Sequence, residues 1–254
     1  MRLQGRVAIV TGGGHGIGRA YVLGLAREGA RVAIAELDAA AAERVANEVA
    51  AAGGEALAIP TDVSDEASTR NMARVTAERF GGIDILVNNA SIFATIPMSR
   101  VGFEQISVEE WDRLMAVNLK GPWLCARAVV PYMRQRGKGK IINIASGTVL
   151  DGGGGTRAHY VASKAGVVGL TRTLACELGK DNICVNTLAP GSTLSEENPT
   201  EDILRFRQAA AATRVLKRVQ RPEDLVGTVL FLASDDSDFM TGQMIVCDGG
   251  DNLY

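Results

Sequence analysis

An apolar segment, a run of glycines and a helix-forming segment follow one another at the start of the chain, and this order constrains the fold most. Residues 6–11 are rich in Val and Ile and predict a strand buried on both faces. Gly12, Gly16 and Gly18 come next, before a helical pattern over 19–28. Strand, glycine turn and helix in this order are typical of a dinucleotide-binding fold, because a pyrophosphate can approach bare backbone at the positive end of the helix dipole. An ordinary glycine-rich turn is the alternative.

Each glycine of this turn has an expected purpose. Gly12 permits the sharp turn, Gly16 lets the backbone approach a pyrophosphate, and Gly18 lets the helix pack close to the strand. We assign the neighbouring residues of the turn to cofactor binding as well: Gly14, His15 and Ile17.

Glu36 ends the second predicted strand, close to where dinucleotide folds place an acid on the adenosine ribose. A carboxylate there would accept hydrogen bonds from the ribose hydroxyls and would repel a 2′-phosphate. No Lys or Arg follows at once, since the next residue is Leu37, which we also assign to the cofactor site. The sequence therefore predicts NAD rather than NADP. Asp38 is a competing candidate for the ribose, and Glu36 could instead be a solvated strand end.

Strand patterns alternate with helical patterns along the rest of the chain. Further strands are predicted at 55–60, 84–90, 140–145, 182–188 and 243–247. Because such alternation builds a parallel sheet covered by helices on both faces, we predict an α/β fold with a Rossmann-like doubly wound parallel sheet of about seven strands. One domain over 1–254 is expected. The less regular segment 192–214 begins with Ser, Asn and Pro, ends in a short amphipathic stretch, and has the composition of a substrate lid.

Tyr160 and Lys164 are one helical turn apart, so a helix there would put both side chains on one face. An ammonium beside a phenol favours the phenolate and lowers the pKa of the phenol from about 10. Such a pair can move a proton to or from an alcohol or carbonyl oxygen. Ser146, at the end of the fifth strand, can donate a hydrogen bond to the same oxygen. A helical face with a Tyr and a solvated Lys is the common alternative.

Two other polar residues can serve either binding or local structure. Asp62 follows the third strand and can accept from an adenine amino group, or it can cap a helix, a role for which Ser64 and Asp65 compete. Asn118 lies between two helical stretches, just before a Gly-Pro pair that would disturb a continuous helix. It marks either a simple kink or an amide that holds water near the reactive centre.

Composition limits the partners and the compartment. The 254 residues carry a net charge of −2 and 46% hydrophobic residues, with no basic run and no apolar stretch long enough to span a membrane. We therefore expect no nucleic-acid partner and no membrane association. The four cysteines are scattered, no metal-binding cluster is visible, and residues 1–6 show no signal-peptide pattern. Reduced, mostly buried thiols in a cytoplasmic protein with a small-molecule substrate are the expectation.

Six motifs in a fixed order resemble those of the short-chain dehydrogenase/reductase family, of the non-extended type, over the whole chain. They are Thr11-Gly12-x-x-x-Gly16-x-Gly18, Asp62-Val63, Asn88-Asn89-Ala90, Asn118, Ser146 with Tyr160-x-x-x-Lys164, and Pro190-Gly191. The resemblance implies that a secondary alcohol and a ketone are interconverted by hydride transfer, with NAD as the cofactor and a homotetramer as the assembly. The alternatives are an NADP-linked carbonyl reductase of the 3-oxoacyl type and a non-catalytic dinucleotide-binding protein.

The resemblance also implies the role of each matching residue. Tyr160 is the acid/base, Lys164 lowers its pKa and binds the nicotinamide ribose, and Ser146 orients the substrate oxygen. Asn118 holds a water in a proton relay with Lys164. Asn88 and Ala90 line the adenosine side, and Asp62 meets the adenine. The remaining assignments to the cofactor are Val63, Asn89, Pro190, Gly191 and Thr193, and those to the substrate are Thr148 and Ser192.

This chain departs from the family pattern at Ser91, where a Gly is usual, and at Thr193, where a branched aliphatic residue is frequent. The expected pocket residues lean apolar and favour a hydrophobic alcohol or ketone: Ile92, Phe93, Val149, Leu150, Ser192 and Leu194. Arg100 and Arg157 could instead bind an anionic group, or they could be ordinary surface charges. The stretch 92–105 is expected to border the pocket.

Overall fold

The computed structural model describes residues 1–93 and 96–253, and it contains one parallel sheet of seven strands in the order β3-β2-β1-β4-β5-β6-β7. The strands are β1 (Val7–Thr11), β2 (Arg31–Glu36), β3 (Ala56–Pro60), β4 (Ile85–Asn88), β5 (Gly139–Ile144), β6 (Ile183–Pro190) and β7 (Met244–Cys247). The predicted α/β doubly wound sheet is confirmed, with strand ends within two residues of the expected positions.

Helices cover both faces of the sheet. They are α1 (Gly16–Arg27), α2 (Ala39–Ala51), α3 (Glu66–Phe80), α4 (Val108–Met115), α5 (Gly121–Arg136), α6 (Thr148–Asp151), α7 (Ala158–Leu178), α8 (Glu201–Thr213) and α9 (Glu223–Ala233). Leu25 of α1 and Val229 of α9 belong to one apolar core, and Met72 of α3 and Val129 of α5 belong to the other. Strands buried between two such layers read as continuous Val/Ile segments, which is why the sequence pattern identified them.

The order of the strands reverses between β1 and β4, because the chain runs outward through β2 and β3 before it returns to the other side of β1. In sheets of this kind the crevice for a ligand opens at that reversal, beyond the carboxyl ends of the strands. The segments that follow β1, β4, β5 and β6 all meet there, so residues far apart in sequence are brought to one place.

Local structure differs from expectation where side-chain contacts override local pattern. Ala116–Lys120 forms a π-helical turn between α4 and α5, so Asn118 marks neither a break nor a simple kink. The predicted irregular segment 192–214 contains the 13-residue helix α8. Ser107 caps α4 by accepting from the backbone N–H of Glu110, and the Glu110 carboxylate accepts from the backbone N–H and the hydroxyl of Ser99.

The cysteines also differ from expectation. All four are free thiols, but only Cys125 is buried, while Cys176 is exposed and the other two are half-buried. Within 1–93 and 96–253, no helix is both long enough and apolar enough to cross a membrane.

Candidate active site

A cavity of about 590 Å³ lies at the carboxyl ends of the strands and runs from the glycine turn to helix α8. Nearly all the residues predicted to bind cofactor or substrate line it: Gly12, His15, Gly16, Ile17, Gly18, Glu36, Leu37, Asp62, Val63, Asn89, Ala90, Ser146, Thr148, Tyr160, Lys164, Pro190, Gly191, Ser192 and Thr193. Gly14 and Asn118 do not line it. The fold therefore brings five of the six motifs to one cavity.

The glycine turn is tight and cannot accept side chains. Gly12 and Gly16 have φ values of 64° and 47°, in the left-handed region that favours glycine. A Cβ atom on Gly18 would overlap the carbonyl oxygen of Gly12, so α1 packs directly against the end of β1. Asn89 donates hydrogen bonds from Nδ2 to the carbonyl oxygens of Thr11 and Gly12, at 3.1 and 2.9 Å, and so holds the turn in place.

Glu36 lines the end of the cavity that lies beside the glycine turn. Its Oε2 accepts a hydrogen bond from the N–H of Gly14 at 3.1 Å, and its Oε1 accepts from the N–H of Leu37 at 2.8 Å. Asp38, the competing candidate, caps α2 by accepting from the N–H of Ala41 at 3.1 Å. Asp38 thus acts as a helix cap. The Glu36 carboxylate lies between the glycine turn and the end of β2, where a ribose would bind.

Asp62 and Asp65, which follow β3, also differ in role, with one at the cavity and the other at a helix cap. Asp65 caps α3 by accepting from the N–H of Ser68, while Asp62 lines the cavity and accepts from Ser64. The placement of Asn88 on the adenosine side is wrong. Its side chain is buried and donates to Asn143 Oδ1 at 2.8 Å and to the Pro122 carbonyl oxygen at 3.3 Å, because it points to the face of the sheet that α5 covers rather than to the open end.

Tyr160 and Lys164 lie one turn apart on α7 and are both buried, at 6% and 3% exposure. The Lys164 ammonium donates to the carbonyl oxygen of Ile144 at 2.9 Å and lies 5.8 Å from the centre of the Tyr160 ring. Ser146, which follows β5, accepts a hydrogen bond from the Thr148 hydroxyl at 3.0 Å. The phenol, the ammonium and the hydroxyl therefore share the wall of one cavity.

Burial shifts the pKa values of both Tyr160 and Lys164. It raises the pKa of Tyr160 above its ordinary value, against the opposing effects of a hydrogen bond with Ser146 and the positive charges of Arg157 and Arg207. Burial also lowers the pKa of Lys164 to about 8. Lys164 is not among the groups that oppose this effect of burial on Tyr160, and its role in lowering the pKa of the phenol remains a prediction.

The Asn118 amide forms hydrogen bonds with the segment that follows β4. Its Oδ1 accepts from the N–H of Ile92 at 2.8 Å, and its Nδ2 lies 3.4 Å from both the Ile92 carbonyl oxygen and the Ser163 hydroxyl. Both ends of the amide are thus used within the protein. Its role in a proton relay remains a prediction.

The substrate end of the cavity is built only in part from the residues that the sequence predicted. Of the expected pocket residues, Phe93 and Ser192 line it, with the Phe93 ring 4.9 Å from that of Tyr160. The others do not: Ile92, Val149, Leu150 and Leu194. Phe206, Arg207 and Ala210 of α8 take their place. Their spacing on one face of a helix is the signal in the sequence that was missed. The stretch 92–105 includes residues 94 and 95, which lie outside the described residues, and Ile96 of this stretch lines the cavity.

Comparison with known proteins gives consistent matches over the whole chain. Residues 12–252 match the family model described as enoyl-(acyl carrier protein) reductase. A (2S)-[(R)-hydroxy(phenyl)methyl]succinyl-CoA dehydrogenase subunit from Thauera aromatica is 40% identical over 258 residues, which cover 100% of this chain and 99% of the relative. A 3-oxoacyl-[acyl-carrier-protein] reductase from Thermotoga maritima is 37% identical and covers 98% of this chain and 99% of its own length. A short-chain dehydrogenase/reductase structure from Serratia marcescens superposes with a TM-score of 0.91 at 37% identity, with 100% of both chains covered.

Proposed function

The chain belongs to the short-chain dehydrogenase/reductase family of nicotinamide-dependent oxidoreductases, and from that premise we propose that it uses NAD to interconvert a secondary alcohol and a ketone. The observation that carries the proposal is the meeting of Tyr160, Lys164 and Ser146 with the glycine turn in one cavity. A protein that only bound a dinucleotide would have no need of all three side chains. Their presence therefore favours catalysis over simple binding.

The residues around the cavity fit a dinucleotide. The turn at Gly12, Gly16 and Gly18 presents backbone where any side chain would fill the space, and the N-terminus of α1 points its N–H groups to the same side. Glu36 provides carboxylate oxygens for a ribose, and the Lys164 ammonium stands beside Tyr160 at the opposite part of the cavity. When bound, NAD supplies the acceptor of the hydride.

Side chains of the protein then transfer the proton of the alcohol hydroxyl. An alcohol oxygen between Ser146 and Tyr160 can accept a hydrogen bond from the Ser146 hydroxyl and give its proton to the phenolate oxygen of Tyr160. At the same time the hydride leaves the carbon that bears this oxygen. In the reverse direction Tyr160 returns the proton to the carbonyl oxygen. Arg157 and Arg207 favour the phenolate electrostatically, and the Lys164 ammonium, fixed by the Ile144 carbonyl, contributes positive charge from the ring side.

The choice of NAD rests on the carboxylate of Glu36, because a 2′-phosphate at that place would face a like charge. We expect kcat/KM to favour NADH over NADPH, and we expect Glu36→Gln to reduce that ratio on the order of tenfold or more by removing the repulsion. Steady-state kinetics with both cofactors measures the ratio. Glu43→Gln, which changes an exposed carboxylate of α2, is the matched control and should leave the ratio unchanged. A parent enzyme that prefers NADPH would refute the assignment.

Reduction of a 3-oxoacyl thioester with NADPH is the second candidate. It is favoured by the similarity to the 3-oxoacyl-[acyl-carrier-protein] reductase from Thermotoga maritima. Assays with acetoacetyl-CoA and each cofactor separate the two candidates, because the second requires efficient turnover of the thioester with NADPH.

We further propose that the protein works in the cytoplasm as a homotetramer on a small-molecule substrate. The free cysteines suit a reducing compartment. A shallow apolar hollow lined by Met115, Leu119, Trp123 and Leu170 offers a surface for a second copy of the chain. Light scattering coupled to gel filtration should give the mass of four chains.

A further inference from the structure

We propose that Arg157 and Arg207 form a carboxylate-binding site at the substrate end of the cavity, so that the substrate is an alcohol or ketone that also carries a carboxylate group. This inference rests on the proposed function and specifies its substrate class. Both side chains line the cavity that contains Tyr160 and Ser146. A planar guanidinium matches the two oxygens of a carboxylate, and two guanidiniums around one carboxylate would fix its position relative to the reacting carbon.

The backbone orients Arg157 through four consecutive glycines. Gly152–Gly155 all have φ between 66° and 76°, a conformation that ordinary side chains rarely adopt. This turn directs the carbonyl oxygen of Gly153 at Arg157, which donates to it from Nε at 3.0 Å and from Nη2 at 2.7 Å. One side of the guanidinium is thereby held by backbone. Within the described ranges Arg157 has no carboxylate in a salt bridge, so Nη1 is left for a ligand.

Arg207 is more deeply buried, with 4% of its surface exposed. Its Nη1 donates to the Ser192 hydroxyl at 3.0 Å, and its Nη2 donates to Glu196 Oε1 at 2.6 Å. Its Nε is buried without a hydrogen-bond partner among the described residues. Nη1 and Nη2 each carry a second N–H beyond these two hydrogen bonds, and these donors are the ones that a carboxylate would use.

Positive charges crowd together at this end of the cavity. Burial and the like charges of Arg100 and Arg207 lower the pKa of Arg157. The Arg100 guanidinium lies 5.7 Å from the ring centres of both Phe93 and Phe206. Glu196 forms a salt bridge with Arg207, which is one of the three guanidiniums. Asp151 accepts from the Gly153 N–H and balances the charge of Arg157 only at longer range. A bound carboxylate would supply the charge that this arrangement lacks.

The rings provide the apolar part of the same site. Phe93 packs against Tyr160, and Phe206 neighbours Arg207 on α8. A short carbon chain between a reacting carbonyl and a terminal carboxylate would lie along these rings, with its two ends at polar groups. The alternative is that Arg207 only ties α8 to Ser192 and Glu196. In that case kcat/KM would be the same for a carboxylate substrate and for its neutral analogue.

Three pairs of ketones test the site with the intact protein. In each pair an isopropyl group replaces the carboxylate at nearly the same volume: 3-oxobutanoate and 4-methylpentan-2-one, 4-oxopentanoate and 5-methylhexan-2-one, 5-oxohexanoate and 6-methylheptan-2-one. With NADH and with NADPH, we expect kcat/KM to favour the carboxylate member of at least one pair on the order of tenfold to a hundredfold, as for a buried charge pair. Equal values within every pair would overturn the carboxylate site while leaving the oxidoreductase in place. Absence of turnover with all six ketones would contradict both proposals.

Variants identify the residues that produce the preference. Arg157→Gln should lower the ratio of the two kcat/KM values within the favoured pair toward one, and Arg157→Lys should keep part of it because the charge remains without the planar fork. Arg207→Gln should lower the ratio too, and a melting curve shows whether loss of its contact with Glu196 also destabilises the fold. Arg205→Gln is the control, because Arg205 lies on α8 but is exposed and pairs with Glu201. A ratio that is unchanged in Arg157→Gln and Arg157→Lys would overturn the assignment.

Discussion

Tyr160→Phe should lower kcat by about a hundredfold to ten-thousandfold while dinucleotide binding is retained. General acid–base catalysis by one positioned group contributes roughly this much, and the substitution removes only the hydroxyl that transfers the proton. The ring remains, so its packing 4.9 Å from Phe93 and the shape of the cavity are kept. The rate is measured by NADH absorbance with a panel of secondary alcohols and ketones, and binding by quenching of protein fluorescence with NADH.

The control for this prediction is Tyr132→Phe, which removes a half-buried phenol hydroxyl from α5, away from the cavity. It should have the kcat of the parent enzyme. If Tyr160→Phe also turned over at the parent rate, the phenol would not be the acid/base. If it lost NADH binding as well, its main contribution would be to the cofactor site.

Gly18→Ala should abolish dinucleotide binding and destabilise the protein. The new Cβ would overlap the carbonyl oxygen of Gly12 and lie 2.6 Å from Asn89 Nδ2, so α1 would have to move away from β1. Overpacking of this kind costs about 1–3 kcal/mol, which corresponds to a fall in melting temperature of roughly 2–4 °C per kcal/mol for a chain of about this size. The same movement would displace the N–H groups that meet the pyrophosphate. Thermal melting and NADH titration measure the two effects.

Gly227→Ala provides the comparison, because a Cβ at this exposed position of α9 meets nothing within 4 Å. It should bind NADH normally and melt at or slightly above the temperature of the parent, since alanine is the better helix former. Normal NADH binding by Gly18→Ala would mean that the turn can open to admit a side chain, and the close packing of α1 on β1 would then not be needed for the cofactor.

Much of the fold could be read from local patterns. The run 6–11 is apolar because β1 is buried on both faces, and the positive φ values of Gly12 and Gly16 require residues without a Cβ. These features depend on neighbours in sequence, so the sequence displays them directly. The order of strand, glycine turn and helix predicted the sheet and the cavity at its end for the same reason.

Other features depend on contacts between distant segments. Asn88 is followed by two residues that line the cavity, yet its own side chain turns toward Asn143, because successive side chains of a strand point to opposite faces. Asn118 is an unusual residue for a helix interior, and only the structure shows that its amide holds the backbone of Ile92. The sequence shows a short amphipathic stretch where α8 lies, but the position of α8 over the cavity depends on tertiary contacts such as that of Arg207 with Ser192.

The sequence by itself determined which chemical groups are available: a glycine turn, an acid at the end of β2, and a Tyr, Lys and Ser at spacings that match one family. The tertiary structure decided how those groups behave. Burial in a medium of low polarity raises the pKa of Tyr160 and lowers that of Lys164, and the spacing of the two residues does not reveal this contribution. It also brought Arg157 and Arg207 from separate segments to the same cavity. Spacing along a chain specifies neighbours on a helix face, but the solvent exposure that sets a pKa is a property of the whole fold.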